Sequence, residues 1–153
     1  MTVFVPLTIS AAQQLRSTGS ATDLIGYADG PALRSWLGDP RLDDEEAHYV
    51  ALNHAGVAAL LLDGDSMRLV LAVDQEIAGG ELGAVQLPRV AWSDVRSLFA
   101  DEAGASAAVA KARAAANGLD LAAALSLPEV EQLLDAHDLL WYAPDELGAL
   151  AAC

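Results

Sequence analysis

The sequence predicts an α/β fold, a single-layer mixed sheet of about five or six strands with helices packed on it. Three observations carry this. The stretch R-L-V-L-A-V-D, Arg68 to Asp74, is an unbroken apolar run closed by charge at both ends, which is how a strand reads when both of its faces are covered. Asp43 to Leu62 repeats apolar residues at helical spacing behind an acidic first turn. Along the chain the patterns follow the order β-α-β-α-α-β-β-β-α-α-β-α with no internal repeat or linker, so residues 1–153 read as one α/β domain.

Taken in order, Val3 to Leu7 reads as the first strand. Pro6, lacking an N–H for the ladder, predicts that this strand is an edge or stops there. Thr8 or Ser10 can cap a helix from Ala11 to Thr18 that ends at Gly19. Asp23 to Tyr27 reads as the second strand. Gly30-Pro31 opens a helical segment through Ala32, Leu33, Trp36 and Leu37, which Gly38-Asp39-Pro40 stops. In the long helix, Asp43, Asp44, Glu45 and Glu46 suit the positive end of the dipole. Ala47, Val50, Ala51, His54, Val57, Ala58 and Leu61 form its apolar stripe. Asp63-Gly64-Asp65 turns the chain into Leu69 to Val73, whose four large aliphatics are each worth roughly 1.5–3 kcal/mol if fully buried.

A looser stretch with Gly79-Gly80 and Gly83 follows, then a strand from Val85 to Ala91 interrupted by Pro88. Ser93-Asp94 can cap one helical turn. Val95, Leu98 and Phe99 fit a helix while S-L-F-A fits a strand, and a strand is expected over Arg96 to Ala100. Asp101 and Glu102 lead into an alanine-rich helix closed by Asn117-Gly118. The remainder reads as a helical turn at Leu121 to Leu125, a helix from Pro128 through Ala136, a strand from Asp138 to Tyr142 and a final helix from Pro144.

Composition narrows the function classes. With 54% hydrophobic and 20% charged residues the chain can bury a core, which excludes intrinsic disorder. Its longest apolar run falls far short of the ~20 residues that span a bilayer. The opening M-T-V-F-V-P lacks the pattern of a secretory signal, so a cytoplasmic location is expected. Cys153 is the sole cysteine and permits no disulfide framework. A formal charge of −14 repels phosphate backbones and anionic lipid, so neither nucleic acid nor membrane is expected as a partner. It leaves room for an acidic face meeting a basic protein. Seven of the eight basic residues are arginine and alanine is abundant, a bias that fits a GC-rich genome.

Asp29, Asp74 and Asp101 each lie just beyond an expected strand. In a parallel sheet such ends gather on one edge, where clustered carboxylates can bind magnesium or share a proton. With Thr8, Tyr27 and Arg34 they form the candidate ligand-binding set. No catalytic residue, metal site or cofactor is identified. His54, on an apolar stripe, reads as a core histidine bonded to a backbone carbonyl. His48 lies six positions earlier on another face, too far for a helical metal pair. His137 closes a helix, where the dipole accounts for it. Gly79, Gly80 and Gly83 lack the following helix and the lysine of a phosphate-cradling loop. Of Trp36, Trp92 and Trp141, two are expected in the core. Trp141 and Tyr142 alternate across a strand, so one faces the core and the other a surface suited to a protein partner or a homodimer.

The opening V-F-V-P-L-T, the central L-V-L-A-V-D, the segment V-A-W-S-D-V-R-S-L-F-A-D-E and the late H-D-L-L-W-Y-A-P-D-E-L resemble an uncharacterised family of proteins of about this length from high-GC Gram-positive bacteria. The resemblance spans nearly the whole chain and implies no activity and no catalytic residues. In topology the chain is similar to small ADP-ribosyltransferase-like domains. Such enzymes place a histidine or arginine on an early strand, with a hydroxyl or aromatic group and often a glutamate. Here the corresponding strands offer only Thr8 and Tyr27, which implies a degenerate member. Two readings of function stand: a non-enzymatic protein acting through protein contacts, and a small-ligand or nucleotide-binding domain. Whether it is an enzyme stays open.

Overall fold

A computed structural model describes residues 2–38, 41–62, 67–77 and 80–152. The expected turn at Asp63-Gly64-Asp65, the helix stop at Asp39-Pro40, Gly79 and Cys153 lie outside the described residues. The elements are β1 (Thr2–Pro6), α1 (Ile9–Thr18), β2 (Ser20–Tyr27), α2 (Pro31–Leu37), α3 (Asp44–Leu60), β3 (Leu69–Asp74), β4 (Ala84–Ala91), β5 (Val95–Ala100), α4 (Ser106–Ala116), α5 (Leu121–Leu125), α6 (Pro128–Ala136), β6 (Leu140–Tyr142) and α7 (Leu147–Ala151). The six strands form one open sheet in the order β4-β2-β1-β3-β5-β6. Its five pairings are all antiparallel.

The α/β class is therefore as the sequence predicts, and the antiparallel pairing changes what can be drawn from it. The three strand ends do not all gather on one edge: β2 and β3 both run against β1 and end on one edge, whereas β5 runs against β3 and ends on the other. The unbroken run in β3 arises because this strand sits between β1 and β5 with both faces covered. Leu69, Leu71 and Val73 join Val3, Val5, Leu15, Leu147 and Leu150 on the α1 and α7 side. Val70 and Ala72 join Phe4, Tyr27, Leu33, Ala51 and Ala55 on the α2 and α3 side.

Local chemistry sets the element ends. Thr8 accepts the Ala11 N–H at 3.1 Å through its hydroxyl to cap α1, and Gly19 closes that helix in the left-handed region. Asp43 and Glu46 exchange bonds in a capping box at the start of α3. Pro6 ends β1, so this strand stops at its proline and lies inside the sheet rather than at its edge. Pro88 does lie in an edge strand, β4, where its missing N–H removes no interior ladder bond. Opposite it the register runs from Thr22↔Arg89 to Leu24↔Leu87, and Asp23 between them is held at φ 56°. Aspartate is among the few non-glycine residues that enter the left-handed region readily, because its short polar side chain can hydrogen-bond locally.

α3 is more deeply buried than its stripe implies. From His54 to Leu60 every residue is buried, because the sheet lies on one side and α4, α5 and α6 on the other. Val57 and Leu60 pack with Val109, Ala112, Val130 and Leu133 in a second, helical core. Arg113 of α4 donates to the carbonyls of Ala59, Leu60 and Leu62, placing a cation at the negative end of the α3 dipole.

At the N-terminal end of β3 the chain buries an ion pair. Arg68 is 1% exposed and Asp101 2%. The Arg68 guanidinium donates from Nε and Nη2 to both carboxylate oxygens at 2.6–3.2 Å, and its backbone N–H donates to Oδ2 at 2.8 Å. A third partner, the His137 carbonyl, accepts from Nη2 at 3.0 Å.

Two expected outcomes follow from this packing. Asp101→Leu leaves a buried guanidinium without its counter-charge and lowers stability by about 3–5 kcal/mol, whereas adding Arg68→Met to it restores most of the loss, read from urea midpoints. A Cβ at Gly26 would stand 2.5 Å from Val3 Cγ1, so Gly26→Ala costs about 1–3 kcal/mol by over-packing in the same assay.

Candidate functional site

Two of the six sequence candidates share a cleft. Thr8, at the start of α1, and Tyr27, at the end of β2, line a groove of about 380 Å³ with Pro6, Leu7, Ala11, Asp23, Leu24, Ile25, Ala58, Leu61 and Leu62. Its walls are mostly apolar, with three polar side chains among them. The Thr8 oxygen caps α1, while its hydroxyl proton remains available as a donor. Tyr27 is buried against the α3 side of the sheet. Burial pushes its phenol above the ordinary value of 10, which keeps the group a neutral O–H at physiological pH.

The other four candidates are spent on partners. Asp29 and Arg34 form a two-bond pair, Nε to Oδ1 at 2.9 Å and Nη2 to Oδ2 at 2.7 Å. Arg34 Nη2 also reaches Asp44 at 2.9 Å and Nη1 reaches the Leu42 carbonyl. These bonds tie the Ala28–Gly30 turn to the first turn of α3. The Arg34 hydrogen bonds hold the Asp29 carboxyl below its usual value, with smaller help from the Gly30 N–H and the charge of His48. Asp101 is consumed by Arg68. Asp74 lies exposed at the far end of β3, 3.5 Å from Arg96. Arg96 is the residue passed over where the register shifts from Ala72↔Ser97 to Val73↔Val95.

The structure thus brings Thr8 and Tyr27 together, and Asp29 and Arg34 together, but assembles no common site from the six. Among the described residues no three histidines, cysteines or acids are placed to hold a metal. Gly80 and Gly83 build a turn: the Gly83 N–H donates to the Gly80 carbonyl and the Gly80 N–H to that of Ala84, each at 2.8 Å. Asp23 and the Leu61-Leu62 end of α3 are groove residues that sequence reasoning missed. No local signal in the sequence marked Asp23, because its place in the groove depends on the pairing of β2 with β4.

A second feature is the outer strand. β6 is bonded to β5 with Phe99 opposite Trp141 and Leu98 opposite Tyr142. Opposed residues share a face, so Trp141 lies beyond Phe99 on the α3 side while Tyr142 packs toward the α1 core. Trp141 is 62% exposed and Leu140 41%. Trp36 is exposed as well, edge-on to His54 at 5.4 Å, so two of the three tryptophans sit at the surface instead of the expected one. The physical reason is that α2 and β6 are peripheral elements covered on one side only. Asp138, Asp145 and Glu146, all exposed, flank β6.

His54 is the core histidine the stripe implies. It is buried, and its Nδ1 lies 2.7 Å from the Leu82 carbonyl. A carbonyl only accepts, so Nδ1 carries the proton in the neutral ring.

The sequence model of a family described as "Family of unknown function (DUF6912)" matches residues 1–151. No curated protein and no solved structure matches the chain.

Burial lowers the His54 pKa below its ordinary 6.5, partly offset by the Leu82 bond. The unfolded chain then takes up this proton first. The His54 contribution to stability is complete above about pH 6.5 and is lost as pH falls from there through the folded-state value. Urea midpoints should therefore decline between about pH 7 and pH 5, and His54→Gln, which keeps a donor for Leu82, should flatten that part of the decline.

Proposed function

The chain belongs to this family of unknown function, and on that premise we propose that it is a non-enzymatic binding protein acting through protein contacts at the β6 edge of its sheet. The observation that carries the reading is the 62% exposure of Trp141 on the last strand of the sheet. An amphipathic indole held on a sheet edge supplies the anchor that protein interfaces favour.

The two edges of the sheet differ in a way that supports this. β4 carries Pro88 and Arg89, devices that discourage strand addition. β6 has neither proline nor charge in Leu140–Tyr142, and only its shortness restrains pairing. The favoured occupant is an extended, basic segment of another protein. Its backbone would extend the sheet beyond β6, its apolar side chains would rest on Leu140 and Trp141, and its cations would meet Asp138, Asp145 and Glu146. Two copies of this chain, each carrying −14, repel one another, which favours a basic partner over self-association. The partnered state of Asp29, Arg34 and Asp101 also supports binding over catalysis, since these candidates spend their charge on one another and on Arg68. A cytoplasmic setting accompanies the reading, and no helix among the described residues is long and apolar enough to cross a membrane.

A lysine-valine alternating peptide tests the proposal. Amide NMR shifts should centre on residues 138–146, weaken as salt rises, and fall at least about tenfold in affinity in Trp141→Ser. Shifts spread over the whole acidic surface and indifferent to Trp141→Ser would overturn it. So would a dimer in light scattering that Trp141→Ser dissolves, which would make the edge a homotypic contact.

A further inference from the structure

We infer that the groove between the start of α1, β2 and the end of α3 binds a small amphipathic amine, its ammonium received by Asp23 and Tyr27 and its apolar body laid on Leu24, Ile25 and Leu61. This site is separate from the β6 edge and does not rest on the reading given for it.

The volume, about 380 Å³, lies within the range of small-molecule sites, and the lining is of the expected kind, apolar walls with few polar groups. Ile25 is 52% exposed in the groove wall, so a ligand's hydrocarbon would cover apolar surface that the protein leaves wet. Tyr27 supplies the second observation. Its side chain is 8% exposed and lines the groove, yet its hydroxyl has no hydrogen bond to another described residue. Phenylalanine would fill the same space among Phe4, Leu33 and Ala55. Because no buried side-chain polar atom among the described residues lacks a partner, this oxygen is open to solvent, and a ligand in the groove can replace the water on it.

Asp23 sets the sign of the ligand. Unlike Asp29, Asp74 and Asp101, it has no ion-pair partner among the described residues. It is exposed in the groove lining, where a ligand can reach its carboxylate. No lysine or arginine lines the groove. The Asp23 carboxylate is anionic and only accepts, which favours an ammonium over a carboxylate or phosphate, and the Tyr27 hydroxyl can accept from an ammonium as well as donate.

The probes are phenethylamine and hexylamine, with hexanoate and hexanol as controls, followed by amide NMR shifts. Both amines should give saturable shifts at residues 23–27 and 58–62, with hexanoate at least about tenfold weaker. Tyr27→Phe should weaken phenethylamine about fivefold and Asp23→Asn about tenfold. Because the Tyr27 hydroxyl has no partner in the fold, Tyr27→Phe should keep or raise the unfolding midpoint. The inference is overturned by amine shifts that do not saturate, by equal binding of hexanoate, by affinities unchanged in both variants, or by a Tyr27→Phe protein that is clearly less stable.

Discussion

The buried pair of Arg68 and Asp101 is the interaction on which the rest of the structure depends. Taking a guanidinium and a carboxylate out of water is tolerated only when nearly every donor and lone pair is matched, and here the matching reaches across three elements. Asp101, just past β5, accepts from the side chain and from the backbone of Arg68, which enters β3. The remaining reach of the guanidinium goes to the His137 carbonyl, between α6 and β6. One charge therefore aligns the two inner strands and fixes where the outermost one begins. Gly56 of α3 lies close by: a Cβ there would stand 3.2 Å from Leu139 Cδ1 and 3.4 Å from Arg68 Nη1, so the helix packs closely over the pair.

The same economy of charge runs through the molecule. Arg34 holds Asp29 and Asp44, Arg113 closes the end of α3, and Arg96 faces Asp74. With eight basic residues against a large excess of acid, Arg68 and these three arginines are engaged in tying elements together. Outside these ion pairs the exposed surface is acidic and apolar at two places: the flanks of β6, where Asp138 accepts from the Tyr49 hydroxyl and Glu146 from the Ala143 N–H beside exposed Leu140 and Trp141, and the groove with Asp23 and Ile25. These are the regions on which the proposed contacts with basic, partly apolar partners rest. Catalysis generally calls for a polar constellation with pKa values pushed apart in a cleft. The two resolved carboxylate and histidine shifts belong instead to a structural ion pair and a core ring.

Much of this was legible in the residues. The element order, the capping of α1 and α3, the deep burial of β3, the core role of His54 and the division of labour between Trp141 and Tyr142 follow from spacing, caps and alternation, which are local properties. The site was less legible. Asp29, Asp74 and Asp101 look alike in sequence, each an aspartate after a strand. Their fates differ because of what each meets: Asp29 and Asp74 leave the same edge of the sheet but face Arg34 and Arg96 respectively, whereas Asp101, on the opposite edge, is buried against Arg68. Arg68 and Asp101 flank two apolar strands as mirror-image charges, a signal that becomes readable once β3 and β5 are known to be neighbours.

By itself the sequence determined the α/β class, the sites of most turns and caps, the acidic surface and the absence of any local motif for metal or phosphate. Each depends on residues within one or two turns of chain. Only the tertiary structure decided the strand order, the all-antiparallel pairing, the burial of Arg68 and the meeting of Thr8, Asp23 and Tyr27 in one groove. Those depend on which distant segments lie side by side, and a residue's environment, more than its type, then sets whether its charge is spent on the fold or left for a partner.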